Sequence, residues 1–253
     1  MIDDRRVAEL LAVIPDIVIT LSPEGRLLTC SAASQALLGY APEELIGLAL
    51  TETPTLDDEG RAVAARELRG VLTGERVGAI LLPLVHRNGT RRWFEVRSGI
   101  GHEPDGSRVV RAILRDTTER LDAEQRLRAI IDATNDIIIV MDTEGRLRFE
   151  NAAVHRVLGY APGERLGTSL VELVHPDDLA SGLANLARLQ QPGAQVLLTI
   201  RFRHRNGSYR FIEASGHNMT DVPSVGGVLG VGRDVTERMR LQERLDAAER
   251  LDS

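Results

Sequence analysis

The sequence predicts an α+β protein made of two copies of one module, each a five-stranded antiparallel sheet with short helices on one face, joined and followed by longer helices. Three observations predict it. Leu38-Gly39-Tyr40-Ala41-Pro42 returns 120 residues later as Leu158-Gly159-Tyr160-Ala161-Pro162, and Glu24-Gly25-Arg26-Leu27 returns at the same offset as Glu144-Gly145-Arg146-Leu147. His86-Arg87-Asn88-Gly89 and the run Arg115–Arg120 return 118 residues later, at His204–Gly207 and Arg233–Arg238. Between these landmarks, both halves run through β-branched stretches, turn clusters and helical patterns in the same order. Collinear blocks at a nearly constant offset mark a tandem duplication, and a period this long is a whole domain, not one turn of a solenoid. The expected organisation is an N-terminal amphipathic helix over 1–15, a first domain over 16–116, a linker helix over 117–134, a second domain over 135–234 and a closing helix over 235–253.

Each module opens on a short apolar run, Asp16 to Leu21 or Asp136 to Met141. A turn cluster, Ser22-Pro23-Glu24-Gly25 or Asp142-Thr143-Glu144-Gly145, then leads to a second short strand, making an opening hairpin. Helical stretches follow at Ala33 to Leu38 and Ala152 to Leu158, with Pro42 and Pro162 suited to the first turn of another helix. Longer helical patterns cover Asp58 to Leu72 and Asp177 to Leu189, the second preceded by His175-Pro176-Asp177-Asp178, whose carboxylates suit a helix N-terminus. Val77 to Val85 and Val196 to His204 connect through Asn-Gly to Arg91 to Gly99 and Tyr209 to Gly216. Asn-Gly tolerates the positive φ angles of a type I′ turn, so both are expected hairpins. Arg108 to Arg115 and Gly227 to Arg233 complete the two sheets.

Composition narrows the function classes. With 43% hydrophobic and 27% charged residues the chain is expected to build an ordinary buried core. The formal charge of −6 and the interspersed basic residues argue against nucleic acid and anionic membrane as partners. No apolar run approaches a membrane span and Met-Ile-Asp-Asp-Arg-Arg is unlike a secretion signal, so a cytoplasmic location is expected. The lone cysteine, Cys30, closes no internal disulfide and reads as a small residue at a strand end. Every basic side chain is Arg, so lysine-dependent chemistry, including Schiff bases and the Walker A phosphate cradle, is excluded.

The Leu-Gly-Tyr segments at Leu38 and Leu158, His175-Pro176-Asp177-Asp178, the Arg-Asn-Gly hairpins and the Asp-x-Thr-Glu-Arg ends at Asp116 and Asp234 together resemble the PAS family, specifically its S-box type with a C-terminal PAC segment. The resemblance covers nearly the whole chain. It implies a curved five-stranded sheet holding short helices against one face, often around a ligand cleft. The first module departs further, with Ser31 where Asn151 stands and Thr55 where His175 stands. In the second module the cleft candidates are Phe149, Asn151, His155, His175, Phe202 and Phe211.

The resemblance also bears on cofactors. Flavin-adduct photosensors of this family carry a reactive Cys soon after the Leu-Gly-Tyr helix, but 46–52 and 166–172 contain none. Haem-binding members offer a His from the long central helix, and 61–72 and 179–189 contain none. No cofactor is expected, and a noncovalently held small molecule stays open. His86, His102, His155, His175, His204 and His217 lie near no CxxC or HExxH pattern, so no metal site is expected; His86 and His204 read as solvated strand ends. Gly226-Gly227-Val228-Leu229-Gly230-Val231-Gly232 lacks the spacing and context of a dinucleotide fingerprint and reads as a Gly-rich strand that lets a ligand or partner approach closely. No nucleophile elbow or catalytic constellation is present, so this chain is not expected to be an enzyme.

Asp116-Thr117-Thr118-Glu119 and Asp234-Val235-Thr236-Glu237 have the spacing of a capping box using Asp, each starting a helix directly from the last strand. Ala123, Leu127 and Ile130 in the first helix, and Leu241, Leu245 and Ala248 in the second, follow the four-three rhythm of a two-stranded coiled coil; packing back on the parent domain is the alternative. Val7, Leu10, Leu11 and Ile14 offer a further amphipathic stripe. A homodimer is therefore expected. In PAS sensors the last strand feeds such a helix, which makes Asp116, Thr118, Glu119, Asp234, Thr236 and Glu237 candidate signal-transfer junctions. The segment 240–253 looks like the stretch before the phosphoacceptor helix of PAS-containing histidine kinases, whose own boxes are absent. The expected function is the sensory part of a two-component histidine kinase feeding a response-regulator pathway. A diguanylate cyclase or phosphatase input, and a ligand-free interaction scaffold, are the alternatives.

Overall fold

The computed structural model describes residues 14–75 and 78–251, with side chains through residue 247. The chain divides into two compact units, Met1–Gln125 and Arg126–Ser253. The first contains β1 (Ile17–Leu21), β2 (Leu27–Cys30), α1 (Ala33–Leu38), α2 (Pro42–Leu45), α3 (Asp58–Thr73), β3 (Ala79–Val85), β4 (Arg91–His102) and β5 (Arg108–Asp116). Its strands form one antiparallel sheet in the order β2-β1-β5-β4-β3. Helix α4 (Thr118–Ala133) begins in the first unit and ends in the second. The second contains β6 (Ile137–Met141), β7 (Leu147–Glu150), α5 (Ala152–Leu158), 3-10 turns at Leu170–Leu173 and Pro176–Asp178, α6 (Leu179–Arg188), β8 (Gln195–Arg203), β9 (Tyr209–Met219), β10 (Gly227–Asp234) and α7 (Thr236–Leu251). Its sheet order, β7-β6-β10-β9-β8, repeats the first.

Strand alternation places one face of each sheet against the short helices. In the first unit Ile17, Leu82, Leu84, Phe94, Val96, Ala112 and Leu114 meet Leu38, Leu56 and Ala64 there. In the second, Ile137, Ile139, Ile200, Phe202 and Ile212 meet Val154, Leu158 and Leu173. Among the described residues no helix is long and apolar enough to cross a membrane.

The repeated motifs meet in space. Gly159 ends α5 in the left-handed region at φ 78°, where a side chain is strained. The His204 ring covers it so closely that a Cβ there would sit 2.7 Å from His204 Cε1. Arg205 N–H donates to Leu158 O at 2.9 Å, capping a free helix carbonyl. Gly39, His86, Arg87 and Leu38 make the same arrangement in the first unit. His86 and His204 are thus half-buried packing groups, not solvated strand ends.

The structure corrects the turn chemistry in several places. Gly89 and Gly207 have positive φ, but Asn88 and Asn206 do not, which excludes a type I′ turn. Gly207 N–H bonds His204 O and His204 N–H bonds Ser208 O, the pattern of a type I turn followed by a glycine bulge. Asn206 Oδ1 accepts from Ser208 N and Oγ, a bond to its own following backbone that the I′ geometry does not require. Pro162 stands in a run of turns instead of a helix, because Gly163 at φ 79° replaces the helical Glu43 of α2. The Asp178 carboxylate does not cap α6; it accepts from Arg201 N and Nε, both at 2.9 Å. Val7, Leu10, Leu11 and Val77 lie outside the described residues.

Candidate functional site

Strands β3, β4 and β5 keep the register of β8, β9 and β10, so the offset of 118 pairs these strands residue by residue. Ser98 opposes Ala112 on the neighbouring strand as Gly216 opposes Gly230, and Val96 opposes Leu114 as Ala214 opposes Gly232. The inward face of the second sheet is therefore stripped of bulk at four places, with Ile212, Gly216, Gly230 and Gly232 where the first unit has Phe94, Ser98, Ala112 and Leu114. Phe94 is fully buried and fills its core.

The consequence is a difference in free space. The second unit holds a partly open apolar cavity of about 120 Å³, walled by residues of β6, β8, β9 and β10 and roofed by the 3-10 turn at Leu170–Leu173 and by α6. The first unit has two smaller spaces, about 70 and 50 Å³. Leu189, Ile139 and Ile212 lean over the three glycines, so that a Cβ at Gly216, Gly230 or Gly232 would lie 2.7 to 2.8 Å from them. Added side chains at these positions would push that wall inward. The Gly-rich stretch of β10 therefore has two uses. Gly230 and Gly232 shape the cavity, and Gly227 leaves the Met141 carbonyl the space a Cβ would take.

Among the described residues, one charged side chain lines this cavity. Arg165 stands at the offset of 120 from Leu45, a leucine only 4% exposed in the first core. The Arg165 side chain is 16% exposed, with Nη2 3.1 Å from Glu172 Oε2, and Glu172 is 58% exposed. Its guanidinium lies 5.4 Å from the Tyr160 ring centroid. Arg165 Nε is buried and has no hydrogen-bond partner among the described residues.

Of the six cleft candidates, Phe202 lines this cavity. Phe149, Asn151 and His155 come together instead at a separate, more polar groove that also includes Arg128 and Asp132. Asn151 is buried and bonded three ways, accepting from Ile138 N at 2.9 Å and donating to Ile131 O and Asp136 O, both at 3.0 Å. It ties the last turn of α4 to β6, and Ser31 keeps the strand bond of this set, accepting from Val18 N at 3.0 Å. His155 Nδ1 pairs with Tyr160 O at 2.8 Å. His175 Nδ1 accepts from Asp177 N, and its ring meets the Tyr209 ring edge-on at 4.5 Å. Phe211 alternates with cavity-lining Ile212 and faces the other way.

Arg165 and the glycine-for-bulk exchanges are not among the residues expected from the sequence. Aligning the two halves position by position, with Arg opposite Leu45 and Gly opposite Leu114, was the available signal.

Both strand-to-helix junctions share one geometry. Asp234 Oδ1 accepts from Thr236 N at 2.8 Å, Thr236 Oγ1 accepts from Phe211 N at 2.9 Å, and Val235 N donates to Phe211 O at 2.9 Å. Asp116, Thr118 and Trp93 repeat it in the first unit. This is not the expected capping box. Glu119 and Glu237 are exposed and do not reach back to the Asp, and the threonine hydroxyl serves the strand instead of its own helix. Arg233 also clamps Asp136 through Nε at 3.0 Å and Nη2 at 2.8 Å, joining the two ends of the unit. This bond holds the Asp136 carboxyl below its usual range. Beyond the junctions, Leu127 and Ile130 are 61% exposed and Leu241 and Leu245 are 59% exposed. Ala123 is exposed too, and the Ala248 side chain lies outside the described residues.

Comparison with known proteins agrees with this architecture. The PAS fold family matches twice, over residues 11–122 and 125–235. The chain is 31% identical over 88 residues to the White collar 2 protein of Neurospora crassa, covering 35% of this chain and 17% of that protein. It is 30% identical over 128 residues to the sensor histidine kinase TmoS of Ectopseudomonas mendocina, covering 49% of this chain and 13% of that one. The matched parts thus span less than a fifth of those relatives. A solved PAS domain from Colwellia psychrerythraea is 24% identical, with a TM-score of 0.40, covering 46% of this chain and 98% of that one. Two family matches end to end, on two sheets of one strand order, place the chain in the PAS family as a tandem of two PAS domains.

Proposed function

We propose that this chain is a cytoplasmic sensory module in which the second PAS domain holds a small molecule and relays its presence through α7 to an output domain, the first choice being a histidine kinase. The observation that carries the reading is the placement of cavity and helix root on the same strands. Ile212, Ala214 and Gly216 of β9 line the cavity, and the residue beside Ile212, Phe211, anchors α7 through Thr236 and Val235. A ligand that alters the path of β9 moves the atoms that hold the helix. The exposed seams of α4 and α7 support a homodimer, because four large apolar side chains on two helices are otherwise left in water. The similarity to a sensor histidine kinase supports the choice of output.

Cyclohexane and benzene test the sensory half of this reading, since both are compact and uncharged. Amide exchange in the presence of either probe is expected to slow in β9 and β10 and to stay unchanged in β4 and β5. Equal effects on both domains, or none, would favour a ligand-free scaffold.

A further inference from the structure

Resting on the reading that the second cavity holds a ligand, we propose that this ligand is a short aliphatic monocarboxylate whose head group is received by Arg165. The fold does not require an arginine there. The first unit builds the same layer with Leu45, fully inside its core. Putting a guanidinium in that place costs desolvation unless each donor finds an acceptor. The chain supplies only part of that need. Glu172 takes Nη2 from a largely solvated position, the Tyr160 face lies nearby, and the Nε–H is enclosed with nothing to donate to. A mostly covered arginine with an idle edge donor is suited to a carboxylate, whose two oxygens match the Nε and Nη pair side-on.

The rest of the cavity sets the tail. Its wall is mostly hydrocarbon, with Ile137, Ile139, Leu170, Leu173, Val196 and Ile200 beside the polar Asn185 and Ser215, and among the described residues no second charged side chain lines it to receive another carboxylate. A dry cavity of about 150 Å³ takes one benzene, so the about 120 Å³ here suits a tail of roughly four to six carbons. Glu172 is the competitor for the same guanidinium, and its exposure lets it turn to water when a ligand arrives.

The test is calorimetric titration of the full chain at neutral pH with hexanoate, 1-hexanol and cyclohexane, on the native protein and on Arg165→Leu, Arg165→Gln and Glu172→Gln. Hexanoate is expected to bind at least tenfold more tightly than 1-hexanol. Arg165→Leu and Arg165→Gln should abolish that preference while 1-hexanol still binds, which also shows that both variants fold. Glu172→Gln should tighten hexanoate severalfold by removing the competitor. Equal binding of hexanoate and 1-hexanol, or a preference that survives both Arg165 variants, would overturn the carboxylate assignment and leave the cavity reading standing. Failure of all three probes, cyclohexane included, would overturn both.

Discussion

Thr236 Oγ1 accepts the Phe211 backbone N–H over 2.9 Å, and Thr236 itself is almost fully buried. The bond ties the first residue of α7 to β9 at the position next to the cavity wall. Thr236→Val keeps the shape of the side chain but leaves the Phe211 N–H without its acceptor. A loss of about 1 to 3 kcal/mol is expected from an unsatisfied buried donor, measured by urea unfolding. Thr236→Ser retains the acceptor and should lose much less. A larger loss in Thr236→Ser than in Thr236→Val would show that the methyl group, not the hydroxyl, carries the junction.

The contact between Gly159 and His204 makes a second prediction. Gly159→Ala combines a left-handed φ with a Cβ pressed into the imidazole, so it should cost more than the roughly 1 kcal/mol of φ strain alone. Adding His204→Ala should recover part of the loss, because the steric half is relieved and the backbone half is not. A double variant no more stable than Gly159→Ala would remove the imidazole from the explanation.

Acid stability has a defined sign at Asp178. Its hydrogen bonds from Arg201 hold the carboxyl below its usual range. A carboxylate with a folded pKa lower than its unfolded value, about 3.9, stabilises the fold above that value and ceases to do so as pH falls through the folded one. The melting temperature of the native chain should therefore drop on acidification below about pH 4 more steeply than that of Asp178→Asn. Parallel curves would assign the acid sensitivity to other groups.

Much of this was legible in the sequence because every landmark occurs twice. Ala33–Leu38 and Ala152–Leu158 carry their own stop signals in Gly39 and Gly159, and the antiparallel hairpins around Asn88 and Asn206 are local events. The corrections fall where tertiary bonds override local rules. Asp178 prefers the Arg201 guanidinium to its own helix, Thr236 prefers β9 to its own helix, and Asn88 turns its amide on the following backbone. The cavity was hidden for a different reason. Free space is a difference between side chains far apart in sequence, such as Ile212 and Gly230, and no local pattern reports it. Aromatic residues drew attention as cleft candidates, whereas the wall is built from aliphatics and glycine.

The exposed seam predicts association. Leu241→Glu with Leu245→Glu removes two apolar side chains that touch little of their own domain, so the fold should persist while the proposed dimer is lost. Sedimentation of both proteins, with far-UV circular dichroism as the control for folding, checks this. An unchanged oligomeric state would place any dimer contact elsewhere.

The relay itself is tested most directly by amide exchange along α7 in the full chain, with hexanoate or cyclohexane bound in the second domain. The account predicts that binding changes the protection of 236–247 together with that of β9, and that Thr236→Val keeps the change in β9 while abolishing the change in the helix. Protection that rises in β9 and β10 with α7 unaltered in the native chain would contradict it.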